Sequence, residues 1–234
     1  MSSRLADTAS DDSNRIVTET GIEQTSEHQM KHTTSLMLNA IVFAGLLSVM
    51  PAGRAQTASA DFGGEPDHTL SAAHESFVKG DTNKAASQIH QAAAYVKRES
   101  EKVAQVSKEG MTKAGAELDK LGNNVKAGTV KSEAELKKTF AKVDHEIADC
   151  WHRTAAESRK SGGDASRELK KAGTSLTGAA KWSGTKLKEG TQASIDALKN
   201  AGKNVGKETK ASASTVNKWF EDIGDGIKDL GKKL

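Results

Sequence analysis

The last 168 residues of this 234-residue chain contain no proline, because both prolines, Pro51 and Pro66, come earlier. Proline breaks helices, and this stretch is rich in Ala, Lys, Glu and Gln, which favour them. The sequence therefore predicts an all-α fold. Leu, Ile, Val and Phe number only 28 among the 174 residues from 61 to 234. That share is below roughly 20%, the level at which apolar burial no longer offsets the chain entropy lost on folding. We therefore expect a loosely packed bundle or an extended arrangement, not an ordinary compact enzyme.

The densest apolar run lies near the N-terminus. A basic start at residues 30–32 precedes an uncharged apolar stretch, residues 36–50, which is followed by small residues. Secretory signal peptides have this three-part order, and the run is short for a membrane span, which needs roughly 20 residues. We predict that residues 30–60 are a signal peptide cleaved near Ala55 or Ala60, and that the protein is periplasmic or secreted. The alternative is an uncleaved N-terminal anchor.

Residues 1–29 have the wrong charge for a leader, since they carry two Arg against six acidic residues. Export signals begin basic. We therefore expect translation to start at Met30, and residues 1–29 to be an upstream extension without function. Without residues 1–55, the chain has 30 basic and 25 acidic residues, and only four of the basic residues are Arg. The scarcity of Arg, the interspersed acids and the predicted export argue against nucleic-acid binding.

After a short linker at 61–66, residues 67–110 are predicted to form a helical hairpin. Asp67 can cap the first helix. The pair Gly80–Asp81 supplies a glycine to end that helix and an N-cap for the next one. The second helix is predicted from about residue 82 to residue 109, because its apolar residues recur at helical spacing.

Residues 111–160 are predicted to be an amphipathic helical segment. Ser132 and Glu135 form a capping box that starts a helix. Apolar residues then follow at spacings of four and three, a heptad-like stripe suited to packing on another helix: Leu136, Phe140, Val143, Ile147 and Cys150. Cys150 is the only cysteine, so it either pairs between chains or is simply a small residue on a helix face.

Residues 164–234 carry an eleven-residue repeat. Its stripe comprises Leu169, Ala172, Leu176, Ala180, Ser183, Leu187, Thr191, Ser194, Leu198, Gly202, Val205 and Thr209. Eleven residues in three turns keep one face aligned along a nearly straight helix, so we predict one amphipathic helix with an apolar C-terminal end. Many stripe residues are small, and each glycine costs about 1 kcal/mol relative to alanine. We expect this helix to be marginal alone and strengthened by packing, a surface or dehydration.

Two segments resemble known families. Residues 164–218, with runs such as Lys186–Ala193 and Ala197–Lys203, resemble late embryogenesis abundant proteins of the eleven-residue-repeat type and are similar to the amphipathic helices of apolipoproteins. This resemblance implies desiccation or stress protection, or reversible binding to lipid surfaces. Residues 73–93, with the pattern Ala-x-x-x-Phe-x-x-Gly-Asp-x-x-x-Ala-Ala, resemble one tetratricopeptide-type hairpin. One such unit implies no peptide-binding solenoid, which needs about three.

The C-terminal stretch has the best partner-binding face of the chain. On a helix, one face would contain Val216, Trp219, Phe220, Ile223, Ile227, Leu230 and Leu234. The charges around this face cancel, whereas a helix on a membrane surface usually has a basic polar side. Three alternatives stay open: packing onto the predicted hairpin, docking on a membrane surface, and docking on a partner helix, self-association included.

Three residues have the spacing of metal ligands. His145, Asp149 and His152 stand at i, i+4 and i+7, so a helix would project them from one face, and such side chains bind zinc or copper. One helix rarely completes a coordination sphere, so His74 or His90 would have to approach from the hairpin. The alternative is a solvated polar face.

No motif in the sequence predicts catalysis. A Gly-rich phosphate loop, a nucleophile elbow, a His-Glu-x-x-His pair and a cofactor fingerprint are all missing from the sequence. We therefore expect no enzymatic activity and no cofactor. The leading hypothesis is an exported helical protein with a structural, envelope-associated or stress-protective role, and the alternative is a periplasmic metal- or small-ligand-binding protein.

Overall fold

The structure is a computed structural model that describes residues 66–201 and 211–234, which form seven α-helices and no strand. The helices are α1 Pro66–Val78, α2 Thr82–Glu99, α3 Gln105–Lys126, α4 Glu133–Lys160, α5 Ser166–Ser183, α6 Glu189–Ala201 and α7 Ala213–Gly231. The all-α prediction is confirmed. None of these seven helices is both long and apolar enough to span a bilayer. The predicted upstream extension, signal peptide and linker lie outside the described residues, apart from Pro66.

The first two helices form the predicted hairpin. Gly80 has a φ of +80°, a left-handed conformation that glycine adopts without strain, and it lets the chain turn back. The Asp81 side chain then accepts a hydrogen bond from the backbone N–H of Lys84 at 3.0 Å, as expected of an N-cap.

The second helix of the hairpin is shorter than predicted, since α2 ends at Glu99 and not near Glu109. In the connection to α3, Val103 is buried. There the backbone N–H of Ala104 donates a hydrogen bond to Oγ1 of Thr154 in α4, at 3.1 Å. A tertiary contact with α4 therefore accompanies this boundary, and helical periodicity alone could not reveal it.

The prediction of one helix over residues 164–234 is wrong, because the described part of this region forms α5, α6 and α7. Helix α5 ends at Gly184, whose φ of +68° is the left-handed conformation of a glycine C-cap. The stripe nevertheless marks buried residues on both sides of the break: Leu169, Ala172, Leu176, Ala180, Thr191, Ser194 and Leu198. The eleven-residue pattern thus identified the inner faces of two helices. Its continuation at 202–210 lies outside the described residues.

One hydrophobic core connects the seven helices, so the described residues form a bundle and not an extended array. Helix α4, with 28 residues, packs against α1, α3, α5 and α7. Many core residues are alanines, which let helices approach closely. A core of this kind needs few large apolar side chains, which is why the low Leu, Ile, Val and Phe content did not prevent a bundle.

Candidate functional site

The two histidines of the predicted metal set contact helix α7. Nε2 of His145 lies 2.9 Å from the carbonyl oxygen of Ile227, and Nε2 of His152 lies 3.0 Å from that of Phe220. Because a carbonyl oxygen only accepts hydrogen bonds, each Nε2 carries the hydrogen and donates it. Both imidazoles are therefore engaged in holding α7 on α4.

The other residues of the metal hypothesis are also engaged elsewhere. Asp149 forms an ion pair with Arg153, one turn along α4, at 2.6 Å. His74 pairs with a carboxylate at the start of α4, and His90 pairs with a carboxylate of α3. In the part of the chain that the structure describes, no group of three or more His, Cys, Asp or Glu is arranged to hold a metal ion. The structure thus does not bring the predicted metal ligands together.

The contacts between α4 and α7 recur every seven residues along both helices, which run antiparallel. The pairs are His145 with Gly231, His152 with Gly224, and Arg159 with Asn217. Seven residues are close to two helical turns, so the three pairs lie along one line of contact. We call these three pairs the α4–α7 interface.

Glycine makes the two imidazole contacts of this interface sterically feasible. A Cβ atom on Gly231 would lie 2.8 Å from Nε2 of His145, and one on Gly224 would lie 2.9 Å from Nε2 of His152. Real Cβ atoms essentially never come so close. In both pairs the histidine donates to the carbonyl four residues before the glycine. The same arrangement therefore occurs twice along α7.

The ring of Phe220 contacts two cationic or ionisable side chains of α4. It stacks on the imidazole of His152 with the centroids 4.1 Å apart. The guanidinium carbon of Arg159 also lies over this ring, 4.3 Å from its centroid. Arg159 also donates a hydrogen bond from Nη2 to Oδ1 of Asn217, at 2.7 Å. The N-terminal half of α7 is thus held by stacking and cation–π contacts as well as hydrogen bonds.

The apolar face of α7 packs on the chain itself. Trp219, Ile223, Ile227 and Leu230 are buried, and Val216, Phe220 and Leu234 are partly buried against the core. The helices that cover this face are α4, α5 and α6, and not the hairpin of α1 and α2, which was one of the three alternatives. The histidine–glycine contacts accompany this packing on the side of α4.

A second cluster is a pair of buried carboxyl groups, Asp67 of α1 and Asp144 of α4. Asp144 is only 1% exposed, and its Oδ2 has no hydrogen-bond partner among the described residues, nor has Oδ1 of Asp67. Both oxygens lie beside Gly178 of α5, where a Cβ atom would be 2.5 Å from the oxygen of Asp144 and 2.6 Å from that of Asp67. Glycine at 178 therefore leaves room for both carboxyl groups.

Burial changes the acidity of this pair. The pKa of Asp144 is raised well above its usual value, first by burial and then by the neighbouring Asp67. The pKa of Asp67 is also raised by burial, although Lys181 and Lys199 oppose the shift. The indole N–H of Trp182 lies close enough to lower both pKa values, but it makes no hydrogen bond of good geometry.

A small cavity adjoins the pair. Asp67 and Asp144 line one part of it, and an ion pair between Glu99 and Lys171, at 2.6 Å, lines another. Nζ of Lys171 also lies 3.9 Å from the centre of the Trp151 ring. The cavity volume of about 20 Å³ has room for a single water molecule and not for an organic substrate.

Sequence reasoning missed the role of this pair. It took Asp67 only as a helix cap and did not single out Asp144. A signal was present, because Asp144 follows Phe140 by four residues and precedes Ile147 by three, and so stands on the apolar stripe of α4. A carboxyl group on the apolar stripe of a helix is buried when that stripe packs against other helices.

Cys150 is a buried residue of the core, 2% exposed. Burial raises the pKa of its thiol to about 12, and the nearby Glu146 and Asp149 act in the same direction. Disulfide exchange requires an accessible thiolate. In this structure Cys150 is therefore a small buried residue on a helix face, the second of the two alternatives.

Comparisons with protein-family models, with curated proteins and with solved structures found no significant match to this chain. The class that the geometry defines is an all-α bundle with an antiparallel α4–α7 interface and a buried pair of carboxyl groups.

Proposed function

We propose that this is an exported, non-enzymatic helical protein with a structural or stress-protective role in the cell envelope, and that it acts through contacts of α7 with an anionic lipid surface. The observation that carries the proposal is the α4–α7 interface. Its polar contacts are two histidines that donate to backbone carbonyls and Arg159, which donates to the side-chain oxygen of Asn217. Such contacts can be broken without leaving a charge buried in the core.

Helix α7 has the features of a helix that can persist after it separates. It has its own N-cap, because Oγ of Ser212 accepts a hydrogen bond from the backbone N–H of Thr215 at 3.2 Å. Its apolar and polar residues are segregated on opposite sides, as in helices that lie at lipid interfaces. The preceding helix α6 ends at Ala201, so α7 is a distinct element.

When α7 leaves the bundle and binds a lipid layer, its apolar side chains exchange one apolar environment for another. Each large side chain of α7 that leaves the bundle loses about 1.5–3 kcal/mol of burial. Insertion of the same side chains into the interface of a lipid layer restores much of that free energy. Lys218, Lys228 and Lys232 are exposed, but each is paired with an aspartate of α7, so anionic headgroups would compete with these ion pairs. Weak reversible binding, and not stable anchoring, is the expected result.

The alternative, a metal- or small-ligand-binding protein, has less support. His145 and His152 donate to carbonyls of α7, and the cavity beside Asp144 has room for one water molecule. A ligand at either place would have to displace a helix.

Vesicle binding tests the proposal. The full chain is mixed with vesicles of anionic or of zwitterionic lipid, and bound protein is measured by sedimentation. His152→Ala weakens the α4–α7 interface and should increase binding to anionic vesicles several-fold. His90→Ala is the matched control, because the ring of His90 lies in the same way on Gly122, 2.9 Å from a Cβ position, but between α2 and α3.

If wild type and His152→Ala both fail to bind, or if His90→Ala increases binding equally, α7 is not the lipid-binding element and the proposal is wrong. Export is tested separately by N-terminal sequencing of the native protein. A first residue near Gln56 or Asp61 supports it, and a chain that retains Ser2 contradicts it.

A further inference from the structure

We propose that Asp67 and Asp144 hold one shared proton between them, and that this proton fastens the first turn of α1 to the centre of α4 and α5. Asp144 is next to His145 on α4, but its carboxyl group meets Asp67 of α1 beside Gly178 of α5, whereas His145 meets Gly231 of α7. The inference does not depend on lipid binding by α7. It assigns a role to two acidic residues that the proposed function does not use.

The geometry of the site requires a positive charge or a proton. One oxygen of each carboxyl group lies beside the same point, the missing Cβ of Gly178. The two oxygens are therefore within the range of about 4–6 Å over which like charges disfavour each other. Asp144 is buried, and the facing oxygens of both residues lack a hydrogen-bond donor among the described residues. Two carboxylates so placed do not both ionise, and one retains its proton.

The charged groups around the pair are too few and too distant to replace that proton. Lys181 of α5 and Lys199 of α6 act on Asp67, and His68 acts on it weakly from α1. Only Lys181 also acts on Asp144, and its Nζ donates to Oγ of Ser71 at 2.8 Å instead of to a carboxylate.

On the cavity side, the charges are already paired with each other. Lys171 of α5 binds Glu99 of α2, and Glu99 also accepts from Lys102. Trp182 of α5 supplies a nearby N–H dipole but no charge. No third acidic, histidine or cysteine ligand within the described helices completes a metal site here. A proton is therefore the species that fits, either between the carboxyl groups directly or through one water molecule in the adjoining cavity.

Because of the shared proton, this pair stabilises the folded state more at low pH than at high pH. A carboxyl group that keeps its proton when folded, and loses it when unfolded, gives the folded state an extra bound proton above the ordinary carboxyl pKa of about 3.9. The stability from this pair is then complete below that value and decreases as the pH rises towards the folded pKa. The unfolding equilibrium constant increases by up to about tenfold per pH unit in that window.

Substitution of Asp144 by its neutral isostere tests the proposal. Urea unfolding of the full chain is measured for wild type and for Asp144→Asn, from about pH 5 to about pH 9. We expect the unfolding constant of the wild type to increase with pH relative to that of Asp144→Asn, because only the wild type releases this proton when it unfolds. Asp149→Asn is the matched control. It removes an acid from the same helix that is paired with Arg153, and the ratio should then stay constant over the neutral and alkaline range.

Infrared spectroscopy of the folded protein gives a second measurement that needs no stable variant. A protonated carboxylic acid has a C=O band separate from that of carboxylates, and this band should persist at neutral pH in the wild type and disappear in Asp144→Asn or Asp67→Asn. Absence of the band in the folded wild type at neutral pH overturns the proposal. A ratio of the wild-type and Asp144→Asn unfolding constants that does not change with pH overturns it as well. Stabilisation of the wild type, but not of Asp144→Asn, by added calcium or manganese would make the occupant a metal ion and would overturn it as well.

Discussion

At the scale of single residues, glycine decides how closely α7 approaches α4. Gly224 and Gly231 each lie under an imidazole, where any side chain would collide with the ring. Sequence reasoning treats a glycine in a helix only as a cost to helix stability. It could not show that these glycines receive His152 and His145, because the partners stand about 70 or more residues away in the chain.

Gly224→Ala should therefore destabilise the protein by about 1–3 kcal/mol, because the new Cβ displaces the ring of His152. Gly190→Ala is the control, since a Cβ on Gly190 would meet only Oδ1 of Asp222 at 3.7 Å, an ordinary contact. That control should be neutral or stabilising by up to about 1 kcal/mol, the helix propensity of alanine. Urea denaturation measures both, and an equal response of the two variants would contradict this account of Gly224.

The protonation of His152 should also affect stability. Burial lowers the pKa of His152 below its ordinary value, and Lys228 adds to this effect. The carbonyl of Phe220 and the carboxylate of Asp149 oppose it only in part. A histidine with a lowered folded pKa binds fewer protons when folded, so its contribution to stability is complete above the unfolded pKa of about 6.5 and is lost as the pH falls below it.

We expect His152→Gln to reduce the loss of stability between about pH 6.5 and about pH 5, measured by urea unfolding. Glutamine can donate one hydrogen bond but does not titrate in this range. A steeper loss in His152→Gln than in wild type would contradict the expected sign.

At the scale of elements, the sequence pattern identified buried faces better than it identified helix ends. Seven residues of the eleven-residue stripe are buried in α5 and α6, although Gly184 ends α5 in the middle of the stripe. Helix ends depend on single caps and on contacts such as that of Ala104 with Thr154. Of the three alternatives for the apolar face of α7, packing onto the hairpin was wrong, because amphipathic spacing shows that a face is apolar but not which helices cover it.

Ile223 tests the importance of that covered face. It is completely buried in α7, so Ile223→Ala should destabilise the protein by about 2–5 kcal/mol through lost burial and a cavity. Val106→Ala in α3 is the control, because Val106 is 56% exposed, and its effect should stay within about 0.5 kcal/mol. Thermal unfolding followed by circular dichroism measures both. A small effect of Ile223→Ala would mean that α7 is not part of the stable core.

At the scale of the whole molecule, the low content of large apolar residues predicts weak packing, yet the described helices have a continuous core. Alanine and glycine explain the difference, since close approach of helix backbones lets small side chains fill the space between them. The core also contains an acidic residue, Asp144, whose burial is tolerated through a shared proton in our proposal. Composition counts large side chains and does not register either effect.

A continuous core should unfold as one unit. The three tryptophans, Trp151, Trp182 and Trp219, are buried in α4, α5 and α7. Their fluorescence and the helical circular dichroism signal should therefore change at the same urea concentration near neutral pH, without lipid. Separate transitions would show that part of the bundle unfolds independently, and Trp219→Phe would then identify whether that part is α7.

Proline content, caps and helical period were enough to predict the all-α class, the first hairpin and many of the buried residues of α4 to α6. They could not predict where α7 packs, what the two histidines contact, or that Asp67 meets Asp144. These features depend on close approaches at Gly178, Gly224 and Gly231 between distant parts of the chain. Periodicity describes one helix at a time, so it holds no information on which side chain will occupy the space that a glycine leaves.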